Sequence, residues 1–261
     1  MSELATRKFI AKQLQIHTIK AVAVIGGDGT TSSVIQALAG TNTPIAIFPT
    51  GSGNDTAKAF QLTKEPKEFI AGLVAGRTTA IDLLKLNDRF GITIAGTGID
   101  ALIGNRVNQS FYKPILNKLR MGSLTYTIAA VLSLLSFKPF NGTITIDDVT
   151  KPLNKTWLIA CGNTSSYGGG LTICPTADPT DGRLNVTLIH EVGRLYAILH
   201  IFPSLLRGRP IHNKGVSYIE GKEIKITTDR PIPVIIDGEI ITTTPWEIKV
   251  YEKALLLILT T

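Results

Sequence analysis

With 261 residues, 44% of them hydrophobic, the chain can bury one large core or two modest ones, and two domains are expected. A formal net charge of +7 favours anionic partners such as nucleotide phosphates, acidic lipid headgroups or nucleic acid, although an ordinary basic surface has the same sum. Cys161 and Cys174, without CxxC spacing or a nearby histidine pair, support neither a zinc site nor a disulfide framework and read as buried thiols of a reducing cytoplasm.

In chain order, a helix is expected over about Glu3 to Gln15, a strand over Ala21 to Ile25, a helix over Thr31 to Leu38 and a strand over Ile45 to Phe48. Helices over Asp55 to Phe60 and Pro66 to Ala75 follow. This alternation builds a parallel sheet covered on both faces, whose ligands lie beyond the carboxyl ends of the strands. The mixed charges Glu3, Arg7, Lys8 and Lys12 give the first helix no signal-peptide core, so secretion is not expected.

From Ala80 the texture turns to short β segments: Ala80 to Leu86, Phe90 to Ala95, Gly142 to Ile146, Thr156 to Cys161, Leu184 to Ile189, Ile224 to Thr227, Val234 to Ile236 and Trp246 to Tyr251. Such spacing predicts a β-sandwich or barrel-like second domain, interrupted by helices near Leu124 and Leu195. The final apolar run, Ala254 to Leu259, is expected to return to the first domain. No internal repeat or low-complexity linker separates the two parts, so they are expected to share a cleft.

Met121 to Phe137 is uncharged, and its larger apolar residues Leu124, Ile128, Val131, Leu132 and Leu135 form one helical stripe. The stripe predicts an amphipathic helix packed on a core rather than a membrane span. Arg194 to Arg209 is an apolar helix broken at Pro203 and flanked by arginines. Its basic ends fit acidic headgroups while Ile198, Phe202 and Leu206 reach the acyl boundary; a core helix with solvated ends is the competing reading. His17, His190, His200 and His212 are scattered, with no partner that points to catalysis.

Two glycine-rich turns carry the chemistry. Gly26-Gly27-Asp28-Gly29-Thr30 follows the first strand and Gly51-Ser52-Gly53-Asn54-Asp55 the second, and each opens a helix. Glycines free backbone N–H groups to crowd around an anion, Asp28 offers a carboxylate to magnesium or a ribose hydroxyl, and Thr30 offers a hydroxyl. Alone, the first turn reads equally well as an Asp-Gly turn with Thr30 capping the next helix. Two such turns at adjacent strand ends converge on one crevice and point to a nucleotide. Further on, Asp178-Pro179-Thr180-Asp181-Gly182-Arg183-Leu184 is a tight acidic turn that could hold a hydrated divalent cation or be an ordinary Asp-Gly turn. Asp237-Gly238-Glu239 follows an apolar strand in the manner of a hairpin turn.

These blocks, in their order and spacing, resemble the diacylglycerol kinase catalytic-domain family of bacterial lipid kinases, which also contains sphingosine and ceramide kinases. The resemblance covers nearly the whole chain. It continues through Ile81-Asp82-Leu83, Gly96-Thr97-Gly98-Ile99-Asp100-Ala101, Asn163 with Gly168-Gly169-Gly170, the run from Pro175 to Leu184, and Asp237-Gly238-Glu239. It implies an α/β plus all-β fold: an N-terminal parallel-sheet nucleotide-binding domain of the NAD kinase/diacylglycerol kinase type over 1–88, rejoined by 254–261, and a β-sandwich lipid-substrate domain over 89–253. It also implies an ATP- and magnesium-dependent lipid kinase that passes the γ-phosphate to a lipid alcohol, diacylglycerol giving phosphatidate.

On the same ground, nucleotide is expected at Gly26, Gly27, Asp28, Gly29, Thr30, Gly51, Ser52, Gly53, Asn54 and Asp55. A structural magnesium is expected at Asp178, Asp181 and the main-chain oxygen of Arg183, and the catalytic base at Asp237 or Glu239. The implied protein is cytoplasmic, touches the inner face of the membrane peripherally, is compatible with a homodimer, and has no nucleic-acid module. NAD kinase shares Gly-Gly-Asp-Gly-Thr, but Gly51 to Asp55 and Gly168 to Gly170 fit lipid kinases better.

Two departures stand out. Ser32-Ser33 replaces the Asn-Glu that family members carry after the first glycine turn. Family members also begin with a strand and an Asn-Pro-x-Ser/Ala-Gly phosphate turn, whereas this sequence starts near the helix before Gly26. The expectation is either an earlier start or a shortened, non-catalytic lipid-binding relative.

Overall fold

The computed structural model describes residues 3–109, 122–168, 170–208 and 210–260. Met121, Gly169 and Arg209, and the side chains of Ser123, Leu124, Thr125, Tyr126 and Thr127, lie outside what is described. The chain opens with α1 (Glu3–Ile16), β1 (Val22–Gly26), α2 (Asp28–Leu38), β2 (Ile45–Pro49), α3 (Asp55–Ala59) and α4 (Pro66–Ala75). β1 and β2 run parallel, with Val22 opposite Ile45 and Gly26 opposite Pro49. Their apolar residues Val24, Ile45 and Ile47 pack with Val34, Ile35 and Leu38 of α2 into a first core.

A second, β-rich part follows. Its strands are β3 (Thr78–Leu86), β4 (Arg89–Gly91), β5 (Ile94–Gly98), β6 (Phe140–Ile146), β7 (Val149–Gly162), β8 (Ser166–Tyr167), β9 (Leu171–Thr172) and β10 (Leu184–His190). After these come β11 (Val216–Gly221), β12 (Glu223–Thr228), β13 (Pro233–Ile236), β14 (Glu239–Thr243) and β15 (Trp246–Ile258). Hydrogen bonding runs in the order β1-β2-β15-β12-β6-β7-β5-β13-β14, with β10 and β11 branching from β7, and β3 and β4 from β15. The inward residues of these strands form a second, larger core with α5 (Ile99–Gln109) and α6 (Gly122–Ser136).

β3 and β15 belong to both cores. In β3, Ile81 and Leu83 join the first core and Leu84 and Leu86 the second. In β15, Ile248 joins the second core, whereas Ala254, Leu255 and Leu257 join the first. The runs Trp246 to Tyr251 and Ala254 to Leu259 are thus one strand, interrupted only by a register shift between Tyr251 and Leu255. Phe90 to Ala95, by contrast, is two strands, because Ile92 and Thr93 turn their N–H groups to a carboxylate instead of a neighbouring strand. β14 carried no sequence signal.

Two helical expectations are corrected. On α6 the side that meets the core holds Ala129, Ala130, Ser133 and Leu134. Of the stripe expected to be buried, Ile128, Leu132 and Leu135 face outward and Val131 is half-buried. The second helix runs as α7 (Arg194–Tyr196), a π-helical turn (Ala197–Ile201) and α8 (Phe202–Leu206). The π turn shifts its phase, so Phe202 is buried and Ile198 leans on the core, while Leu195, Leu199 and Leu206 are exposed. No helix among the described residues is long and apolar enough to cross a membrane. Cys161 and Cys174 are buried free thiols, and burial pushes Cys174 up to about 12.

Candidate active site

Both glycine loops leave the same end of the parallel pair, because Gly26 and Pro49 are partners at its edge. Asp28, Gly29 and Thr30 already belong to α2, so the helix starts three residues before the expected Thr31. Thr30 therefore does not cap the helix. Gly27 is the N-cap and supplies no side-chain acceptor, which leaves this helix start suited to an anion. The loops touch: Thr50 N donates to the Gly26 carbonyl at 2.9 Å, and a β-carbon on Gly51 would lie 2.6 Å from the Gly27 Cα. Only glycine permits that approach.

Asn54 shapes the second loop from a left-handed conformation (φ 52°). Its Oδ1 accepts from Gly51 N at 2.9 Å and its Nδ2 donates to the Gly51 carbonyl at 2.6 Å. Asp28 reaches across to this loop, accepting from Thr56 N at 3.2 Å, and a β-carbon on Gly53 would lie 2.8 Å from its Oδ2. Ser52 is exposed at the tip. Asp55 accepts from Gly168 N at 2.7 Å and so ties the loop to the β-rich part.

The third element is the β13–β14 hairpin. Asp237 (φ 49°) and Gly238 (φ 82°) both take positive φ, as a two-residue type I′ turn requires. Asp237 Oδ1 accepts from Thr93 N at 2.8 Å and Thr93 Oγ1 at 2.7 Å, and Oδ2 accepts from Ile92 N at 2.9 Å. Burial raises its carboxyl above the usual range in spite of these bonds, and the Asp28 carboxylate adds to the rise. Glu239 leans over the start of α2: a β-carbon on Gly29 would lie 3.6 Å from its Oε1.

Arg89 on β4 holds Glu239 Oε2 at 2.6 Å, Glu3 Oε1 and Oε2 at 2.8 and 2.9 Å, and Ser32 Oγ at 3.3 Å. Where the family pattern has Asn-Glu, a serine hydroxyl and the α1 carboxylate thus meet this arginine. Gln36 locks α2 to the same strand, donating to the Phe90 carbonyl at 2.8 Å and accepting from Phe90 N at 3.0 Å.

The acidic turn lies apart, against β3 and β15. Asp82, buried between them, accepts from Gly182 N and Lys253 N, both at 2.7 Å. Asp178 Oδ1 accepts from Thr180, and Asp181 Oδ1 from Arg183 N at 2.8 Å. The second oxygen of each has no hydrogen bond among the described residues. Partial burial raises the Asp181 carboxyl, and the Asp178, Glu220 and Asp82 carboxylates raise it further. This surplus of negative charge fits a divalent cation. Among the described residues no group of three His, Cys, Asp or Glu side chains could hold a metal, so a cation here would draw on two carboxylates, a main-chain oxygen and water.

Beside the cleft, an apolar cavity of about 50 Å³ lies between α5, α6 and the π-helical segment, lined by Ile103, Leu134, Trp157, Ile201 and Leu205 among others. Asp100 is its one ionisable carboxylate and accepts from Ala101 N at 2.7 Å and from Tyr167 Oη, also in the lining, at 3.3 Å. Burial raises the Asp100 carboxyl from 3.8 to about 7. Arg89, Thr93, Asp100 and Asp82 had no role assigned from sequence. The signal for the last two was a lone aspartate inside an otherwise apolar segment; Arg89 and Thr93 left none.

A parallel-stranded α/β part joined to a β-sandwich, with glycine loops and a carboxylate hairpin meeting in the cleft, defines a protein of the diacylglycerol kinase and NAD kinase type. Residues 3–86 match the diacylglycerol kinase catalytic domain and residues 93–259 the YegS C-terminal NAD kinase beta sandwich-like domain. A Mycobacterium tuberculosis protein named diacylglycerol kinase is 36% identical over 241 residues, covering 90% of this chain and 75% of that one. Two solved chains from Bacillus anthracis str. Sterne share the fold, at 20% and 18% identity. One superposes with a TM-score of 0.80 over 99% of this chain and 84% of its own. The other, titled a diacylglycerol kinase, reaches 0.72 over 97% and 80%. The chain belongs to the diacylglycerol kinase catalytic-domain family.

Proposed function

We propose that the protein is an ATP- and magnesium-dependent lipid kinase that phosphorylates a lipid alcohol, diacylglycerol, to phosphatidate at a membrane it touches peripherally. The observation that carries this reading is the contact between the two glycine loops, with the β13–β14 hairpin laid over the first of them at Gly29. In this reading the Gly26–Thr30 and Gly51–Asp55 loops bind the nucleotide phosphates through backbone N–H groups. Asp28 would hold the magnesium that neutralises phosphate charge, and the separate turn of Asp178, Asp181 and Arg183 would hold a structural magnesium. The β-sandwich, with its apolar cavity, takes the acceptor lipid.

Of the two hairpin carboxylates, Asp237 is the base. Glu239 is committed to Arg89, whereas Asp237 Oδ2 keeps a lone pair and a raised proton affinity. Asp237 takes the hydroxyl proton as the acceptor oxygen bonds to the γ-phosphorus, the bridging bond to the β-phosphate breaks and ADP leaves. An alcohol is a weak acid and the transition state is loose, so the proton moves late and Asp237 mainly orients the hydroxyl.

The test is labelled ATP with magnesium and two acceptors, diacylglycerol in mixed micelles and NAD. Labelled phosphatidate is expected, with kcat reduced by roughly 10²- to 10⁴-fold in Asp237→Asn. Label on NAD alone, or full lipid activity in that variant, would overturn the reading.

A further inference from the structure

An exposed helix face normally carries charge, yet two neighbouring helices here present bare aliphatic side chains to solvent. On α6, Ile128, Leu132 and Leu135 are 40%, 47% and 56% exposed; on the α7–α8 segment, Leu195, Leu199 and Leu206 are 68%, 57% and 48% exposed. Neither Gly122–Ser136 nor Leu195–Leu206 contains Asp, Glu, Lys or Arg. Arg194 joins the helices by donating to the carbonyls of Leu134, Leu135 and Phe137, the last at 3.0 Å, while it stacks on Trp157. The opposite sides of the same helices, at Leu134, Ala197, Ile201, Phe202 and Leu205, line the apolar cavity. Helices whose inner and outer faces are both largely apolar belong inside a core or against lipid.

The surroundings select lipid. Lys138, two residues past α6, and Arg207, next after α8, are exposed, as are His200 on the π turn and His212 and Lys214 beyond α8. Glu191, paired with His190 at 3.6 Å, is the acidic neighbour before α7. A leucine surface bordered by cations matches an anionic bilayer, whose headgroups attract the border while its acyl region takes the leucines.

We infer that the paired outer faces of α6 and α7–α8 form the membrane-docking surface, settling on anionic lipid with the apolar cavity directly behind them. This rests on the lipid-kinase reading for its biological sense, though not for its measurement.

The experiment is flotation of the full chain with vesicles of phosphatidylcholine, alone or with a third of phosphatidylglycerol. Two double variants, Leu132→Gln/Leu135→Gln and Leu195→Gln/Leu199→Gln, replace no residue of the cleft or the cavity lining. Each is expected to lower the vesicle partition coefficient by about tenfold or more. Lys138→Glu/Arg207→Glu is expected to lower binding to the anionic vesicles alone. Turnover of a water-soluble short-chain diacylglycerol stays at the wild-type level in all three, which shows that they fold, while turnover of vesicle-embedded diacylglycerol falls with binding. Undiminished flotation of both leucine variants overturns the inference, as does a vesicle-free dimer that these variants dissociate without changing flotation. Loss of wild-type activity on the short-chain substrate would sink the kinase reading and leave flotation to judge the surface.

Discussion

Replacing Asp100 by asparagine removes a titrating group from the wall of the apolar cavity while keeping its shape and its acceptor for Ala101 N. The native state raises this carboxyl from 3.8 to about 7, so it binds the proton more tightly than the unfolded chain. The stability contributed by the protonated form is fully present below the unfolded value and is lost as pH rises towards 7. Roughly 3 units at about 1.4 kcal/mol each set an upper bound of about 4 kcal/mol. Asparagine carries no such burden, so Asp100→Asn is expected to be more stable than wild type at pH 8 by up to that amount, with the gap narrowing steadily towards pH 4. Trp157 and Trp246, both buried, report urea unfolding by fluorescence across that range. A difference between variant and wild type that stays constant with pH would refute the argument.

Three other outcomes follow from the geometry. A double-mutant cycle with Arg89→Met and Glu239→Gln is expected to give a coupling of roughly 0.5–1.5 kcal/mol, kept small because Glu239 is half-exposed, and its absence would show that the 2.6 Å pair does not persist in solution. Gly51→Ala drives a methyl group into the Gly27 backbone, and calorimetry is expected to show at least about tenfold weaker ATP binding; wild-type affinity would mean the loops do not act as a pair. Asp82→Ala strands the N–H groups of Gly182 and Lys253, and a loss of about 2–4 kcal/mol in denaturant unfolding is expected, against under 1 kcal/mol if water replaces the carboxylate.

What the sequence made legible was local. Strand periodicity and the glycine turns located β1, β2 and both loops, since glycine after an apolar run has few other uses. The Asp-Gly hairpin was readable for the same reason. What it hid depended on distant partners. The break between β4 and β5 is caused by Asp237, some 145 residues away, capturing Ile92 N and Thr93 N. Strand β14 has the pattern Glu-Ile-Ile-Thr-Thr on an exposed sheet edge, without the alternation that burial imposes. For α6, periodicity found an apolar stripe but took the larger residues for the inner ones, whereas small Ala129 and Ala130 are buried where the helix packs closely on α5. Arg89 gave no sign at all, since its three partners come from α1, α2 and β14.

The long ladder between β3 and β15 has a mechanical consequence. Because each strand contributes side chains to both cores, a crack opening between the halves would have to tear main-chain hydrogen bonds along their shared seam. The halves should melt together in a single calorimetric peak, and protease should not release either one intact.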